Sequence, residues 1–238
     1  MDISQLDNPA WFALTSCHAP MADGDGVVRR YPADVSPFAG LENPSDLPVL
    51  AARMTEGDTA VVWSPDIIVP PKGLELMVTI PCLQMVADPF LPASTQGGAQ
   101  TMTALDVDEM IELCLLTRPG PFERRTLEMG RYIGLRAPDG RLVALAGQRM
   151  QLEDFTEISA ICVHPDYVGR GYARRLMSIL GEDITTCGRV PFLNVVDTNM
   201  SAIGLYESLG FKTRRMMYAH LLGKPGANMV ANAYFSRS

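Results

Sequence analysis

One stretch, Glu157 to Leu180, constrains what this chain can become more than any other. It opens with a β-rich apolar run, Ile158 to Val163, that stops at His164-Pro165. Proline lacks a backbone donor and restricts the residue before it, so a strand must end there. A glycine turn follows at Gly169-Arg170-Gly171, and then Tyr172, Ala173, Leu176, Met177 and Leu180 recur at helical spacing. Strand, glycine turn and helix together gather free main-chain N–H groups at one point. The first N–H groups of a helix have no internal partner, and the helix dipole favours negative charge there. The glycines let a ligand approach the backbone, and Arg170, Arg174 and Arg175 add positive charge. The chemistry indicated is a phosphate cradle. Neither the dinucleotide pattern Gly-x-Gly-x-x-Gly nor the Gly-Lys-Ser/Thr of a nucleotide triphosphate loop is present.

A second pattern lies downstream. Asn199-Met-Ser-Ala-Ile-Gly-Leu-Tyr-Glu-Ser-Leu-Gly-Phe211 reads as a short helix closed by Gly210 and followed by a strand. The two patterns, in this order, resemble the GNAT superfamily of acyl-CoA-dependent N-acetyltransferases. The family's phosphate loop, Gln/Arg-x-x-Gly-x-Gly/Ala, stands here as Val168 to Ala173, with Val168 in place of the usual polar residue. Its second motif matches at Asn199, Ala202, Tyr206, Gly210 and Phe211. The resemblance covers residues 98–238. It implies an α/β (α+β) architecture, a mixed and mostly antiparallel sheet flanked by helices, with acetyl-CoA as cosubstrate and an amine as acceptor. Relatives of this type often carry a degenerate, GNAT-like N-terminal half.

The remaining sequence sets the frame. Asp88 to Gln100, with Pro89, Pro92, Gly97 and Gly98, has the composition of a linker. We therefore expect an N-terminal α/β domain over 1–97 and a catalytic domain over 98–238. Within the second, the strand and helix patterns read β-α-β-β-β-α-β-α-β, with a hairpin turn at Ala137-Pro138-Asp139-Gly140. In the first, Asn8–Cys17 and Leu47–Met54 suggest helices, Thr59–Trp63 a strand, and Leu74–Val86 one buried strand or two broken at Pro81. His18 near Asp23 and Asp25 is read as part of a turn-rich loop, not as a metal site.

The net charge of −7 argues against a nucleic-acid or anionic-membrane binder. No apolar run reaches membrane-spanning length, and Met1 to Gln5 lacks the character of a signal peptide. The five cysteines are scattered without a Cys-x-x-Cys pair, so neither a metal nor a disulfide framework is expected. A cytoplasmic protein is the expectation, with a homodimer left open.

Acyl transfer to an amine requires a neutral amine, a donor for the developing oxyanion and a proton for the leaving thiolate. A free alkylammonium has a pKa of roughly 10. By the resemblance, Tyr206 is the acid near the thioester sulfur, and Glu157 is the candidate base. Glu157 has an equal claim as a partner of Arg149 on the neighbouring strand; Glu128 is a second choice as base. Main-chain groups of Ile161, Cys162 and Val163 would receive the pantetheine arm as an added strand would. The amides of Val168, Gly169, Arg170, Gly171, Tyr172, Ala173 and Arg174 would receive the diphosphate. Asn199 and Ala202 would line the cofactor side, with Asn199 also able to cap its helix. Phe122, Glu123 and Arg124 would lie toward the acceptor. A non-catalytic acyl-CoA sensor is the alternative, and acyl groups longer than acetyl stay open.

Overall fold

A computed structural model describes residues 1–93 and 98–227. Its strands are β1 (Val28–Arg30), β2 (Phe38–Leu41), β3 (Thr59–Ser64), β4 (Glu75–Val86), β5 (Gln100–Thr101), β6 (Tyr132–Arg136), β7 (Leu142–Gln151), β8 (Phe155–Val163), β9 (Val190–Val196) and β10 (Lys212–Gly223). The helices are α1 (Pro9–Thr15), α2 (Leu47–Arg53), α3 (Val107–Thr117), α4 (Tyr172–Thr186) and α5 (Met200–Glu207). From β5 onward the order is β-α-β-β-β-α-β-α-β, as the patterning requires.

All the described strands join one sheet, in the order β1-β2-β3-β10-β4-β9-β8-β7-β6-β5. Pairing is antiparallel except for β2 with β3 and β8 with β9. β10 lies between β3 and β4, and β4 lies between β10 and β9. The strands of residues 59–86 are thus interleaved with those of the C-terminal part. The linker-like segment follows β4; its residues 94–97 lie outside the described residues.

β4 is one continuous strand across Pro81. The Pro81 carbonyl accepts from Asp197 N–H on the β9 side. A residue's N and O point the same way in a strand, so the proline nitrogen also faces β9. Pairing with β9 begins only at Cys82, so the missing donor breaks no ladder bond. The hairpin between β6 and β7 closes with Gly140 N–H donating to Ala137 O at 2.9 Å, and Gly140 takes φ +91°.

Both sheet faces are covered. α4 and α5 bury Leu176, Met177, Leu180, Ile203 and Tyr206 against Met85, Ile158, Leu193 and Val195. α3 packs Met110, Leu113 and Cys114 on Leu145, Ala160 and Cys162. α1 packs Ala10, Ala13 and Leu14 on a cluster that includes Phe38, Trp63, Cys82, Phe155 and Phe192. At the N-terminus Asp7 takes ion pairs from Arg214 and Arg215 of β10, each at 2.8 Å.

His18 is a buried structural residue. Its Nδ1 meets the Tyr31 hydroxyl at 2.7 Å and its Nε2 meets Met129 O at 3.0 Å. A carbonyl can only accept, so Nε2 carries the proton and Nδ1 accepts from Tyr31. Burial pushes the imidazole down from 6.5 to about 4; the Met129 carbonyl opposes this and Arg189 adds to it.

Two outcomes follow. A fragment beginning at Thr101 loses β3 and β4, which leaves β10 without a partner strand and exposes one edge of β9; expressed alone it should aggregate or fail to show cooperative melting, as checked by calorimetry. Between pH 6.5 and 4 the unfolded chain binds a proton at His18 that the folded chain refuses. Stability should therefore be full above pH 6.5 and decline by about 3 kcal/mol toward pH 4. Urea titrations across this range on wild type and His18→Gln should show the slope flattened in the variant.

Candidate active site

The site begins where two strands part. β8 and β9 run parallel but pair only from Phe155↔Val190 to Glu157↔Phe192. Beyond that, residues 158–163 and 193–196 diverge, and β9 turns to β4 while β8 stays with β7. Main-chain groups on the facing edges are left outside the ladder, as a strand-like ligand requires.

Two bulges shape the same edge. Opposite Ala146 of β7, β8 places two residues, Ala160 and Ile161, and Ala160 takes φ +52°. A non-glycine residue in this region is uncommon and marks functional sites. Nearby, β7 places Arg149 and Met150 opposite the single residue Glu157. This second bulge brings Arg149 across the carboxylate.

Glu157 is wholly buried. It accepts from Arg149 Nε at 2.7 Å, from Arg149 Nη2 at 2.8 Å and from Asn194 Nδ2 at 3.0 Å. The guanidinium also lies 4.7 Å from the centre of the Phe38 ring. Of the two roles open to Glu157, the arrangement displays the Arg149 partnership. The carboxylate is not among the groups lining the cavity described next.

That cavity, about 200 Å³, occupies the wedge between the parted strands. β8 contributes Ile158 to Ile161, β9 contributes Asn194 to Val196, and α5 with its cap contributes Tyr206 and Asn199. Phe38, Trp63, Ile80, Cys82 and Ala219 form its wall on the side of the N-terminal strands. The segment after α3, Arg118 to Pro121, covers it. Phe122, expected toward the acceptor, is instead 1% exposed in the core beneath α3; the four residues before it take that place.

Tyr206 lies on the cavity wall, and burial raises its phenol well above the ordinary value, so the hydroxyl keeps its proton near neutrality. Asn199 Oδ1 accepts from Ala202 N–H at 3.2 Å, so it caps α5 while lining the cavity. Ile161 and Val163 are half-buried on the open edge, and Cys162 turns its side chain into the core under α3.

At the end of β8 the chain makes a turn at Pro165–Tyr167 and enters the glycine loop. Gly169 and Gly171 have φ +83° and +75°, and a Cβ on either would meet nothing within 4 Å. The glycines serve main-chain conformation and open access here, not tight packing. Val168, Gly169, Arg170 and Gly171 are exposed, and Tyr172, Ala173 and Arg174 are half-buried. α4 starts with no side-chain cap, and its first helical bond is Arg175 N–H to Gly171 O. The N–H groups of Tyr172, Ala173 and Arg174 precede that bond and have no intrahelical acceptor. Arg170 stands 4.6 Å from the Tyr167 ring centre, and Tyr167 stacks on Tyr172. Arg175 points away, donating to Gly98 O.

The comparisons with known proteins bear on this geometry. The family model described as FR47-like protein matches residues 132–219. The ribosomal protein bS18-alanine N-acetyltransferase of Salmonella typhimurium is 37% identical over 106 residues, 42% of this chain and 71% of that protein. A crystal structure of a putative acetyltransferase from the GNAT family, from Novosphingobium aromaticivorans, is 38% identical. It superposes with a TM-score of 0.86, covering 92% of this chain and 98% of the other. The chain belongs to the GNAT family. A GCN5-related N-acetyltransferase from Kribbella flavida shares the fold at a TM-score of 0.58 and 15% identity, over 92% of this chain and 97% of its own. As a GNAT protein the chain is an acyltransferase, and GNAT acetyltransferases use acetyl-CoA. Among the described residues no helix is long and apolar enough to cross a membrane.

Sequence reasoning missed Trp63, Phe38 and Asn194. Asn194 sits in the strand before the Asn199 motif, and its amide in an otherwise apolar run, Val190 to Val196, was the available signal. Trp63 carried none.

Breaking one partner of the ion pair should destabilise the fold. Glu157→Gln leaves the Arg149 charge buried without its anion, and should cost about 3 kcal/mol. The double change Arg149→Met, Glu157→Leu should recover part of that. Urea midpoints on the three proteins check this; a loss under about 1 kcal/mol in the single variant would mean solvent reaches the guanidinium.

Proposed function

We propose that this GNAT protein transfers an acetyl group from acetyl-CoA to a primary amine, by direct attack within a ternary complex. The observation that carries the reading is the alignment of an open, uncapped α4 N-terminus with the parted edge of β8, which leads into the cavity holding Tyr206. The residues present fit an acyl-CoA. The amides of Val168 to Arg174 suit a diphosphate, with Val168 contributing only its main chain. The main-chain groups of Ile161, Cys162 and Val163 suit the pantetheine amides. Asn199 and Ala202 flank the opposite side.

In this reading the thioester carbonyl lies near the Ala160–Ile161 bulge, where main-chain N–H can stabilise the oxyanion. The amine nitrogen forms a bond to the acetyl carbon, and the carbon–sulfur bond breaks. Tyr206 gives its proton to the departing thiolate and regains one from the amine through solvent. Glu157 serves as a positioning residue: held behind the wall, it fixes Asn194 and Arg149. No carboxylate is among the described residues lining the cavity, so the acceptor enters as the neutral amine and kcat/KM rises with pH toward the acceptor's own pKa. No metal is assigned a role. The acceptor is a small molecule, an amino acid or a protein amine; the bS18-alanine N-acetyltransferases give precedent for the last.

A panel of amines assayed for free CoA thiol tests the reading, alongside calorimetric titration of acetyl-CoA. Tyr206→Phe should lower kcat by about a hundredfold with acetyl-CoA affinity kept. Gly171→Val, which forces a β-branched residue to φ +75°, should weaken acetyl-CoA binding by about tenfold or more. A protein that takes up no acetyl-CoA at millimolar concentration would rule the function out.

A further inference from the structure

The residues lining the cavity carry polar groups that are unevenly matched. Trp63 is 7% exposed, and its Nε1–H has no hydrogen-bond partner. Asn194 donates its Nδ2 to Glu157, which fixes the amide and leaves Oδ1 as a buried acceptor without a partner. Arg149 spends Nε and Nη2 on Glu157; its Nη1 lies against Gly120 on the cavity cover, 3.9 Å from where a Cβ would stand. Arg118 is exposed at the rim, and its side chain has no ionic partner among the described residues. Buried donors and acceptors left unmade are costly, so these groups favour a ligand that can hydrogen-bond to them. The charged lining residues are two arginines. One is neutralised from behind by Glu157, and the other has no ionic partner among the described residues.

Resting on the acetyltransferase reading, we infer that the acceptor is a small amine bearing a carboxylate a few atoms from its nitrogen, as in an amino acid. The amine gives an N–H to Asn194 Oδ1. The carboxylate takes the Trp63 and Arg149 donors and faces the Arg118 charge. A diamine would place a second cation beside Arg118 with no acid in the lining, and a plain alkylamine would leave the donors empty. The cavity of about 200 Å³ lies below the range of roughly 300–1,000 Å³ that holds drug-sized ligands. Trp63 comes from β3, so the N-terminal strands supply acceptor selection while the C-terminal strands supply the coenzyme groove.

The test uses the full chain at saturating acetyl-CoA, with rates compared per neutral amine. Acceptors are alanine, alaninamide, propylamine, 1,3-diaminopropane and the dipeptide alanylglycine, whose carboxylate is farther from the amine. Alanine should exceed propylamine in kcat/KM by about tenfold to a hundredfold, with alaninamide between them and the diamine last. Alanine should also be preferred to alanylglycine; alanylglycine matching alanine would overturn the placement of the carboxylate a few atoms from the nitrogen. Arg118 has φ +50°, a conformation asparagine tolerates. Arg118→Asn should therefore lower the alanine-to-alaninamide ratio about tenfold and flatten its salt dependence. Trp63→Phe should lower the rates of alanine and alaninamide relative to propylamine, with acetyl-CoA titration reporting that the variant is folded. Propylamine or diaminopropane used as readily as alanine would overturn the acceptor assignment and leave the acetyltransferase reading standing. Failure to bind acetyl-CoA would overturn both.

Discussion

Two parallel strands that stop pairing after three residues make the site. A continuous ladder between β8 and β9 would close the wedge, bury the main-chain groups of residues 158–163 and leave no room behind Tyr206. Parting is sustained on both sides. β9 is held by five residues of β4, and β8 is held by β7 beyond its bulge. The separation is therefore a property of the whole sheet. A local change in either strand cannot restore the ladder without breaking another.

The wedge must be floored, and a charged cluster does this. Arg149, Glu157 and Asn194 meet at the last paired residues, where an apolar plug would seal the opening. A buried ion pair is a weak source of stability but a strong constraint on geometry when both partners are satisfied. Here it orients an amide oxygen and a guanidinium edge. The bulge in β7 is what allows it, since a regular register would leave only one residue opposite Glu157.

The C-terminal strand couples the halves of the chain. β10 pairs with β3 on one side and β4 on the other, so the wall bearing Trp63 and the parted strands β8 and β9 share one sheet. The glycine loop is more independent. It rests on main-chain conformation at the start of a long amphipathic helix, with Gly169 and Gly171 at positive φ.

Local sequence determined a good deal. Pro165, Gly169 and Gly171, with the helical spacing after them, settled the succession of β8, glycine turn and α4. Asn199 and Gly210 bounded α5, and Pro138 with Gly140 placed the hairpin. These signals act within a few residues, through backbone sterics and hydrogen bonding, and need no distant partner. The surroundings of Glu157 could not be read in the chain, because they turn on a bulge and on an amide thirty-seven residues away. The strand parting, the cavity wall from β2 and β3, and the displacement of Phe122 into the core likewise depend on which strands become neighbours. That is decided by the packing of the whole sheet, whose long-range pairings leave no mark at the positions they bring together.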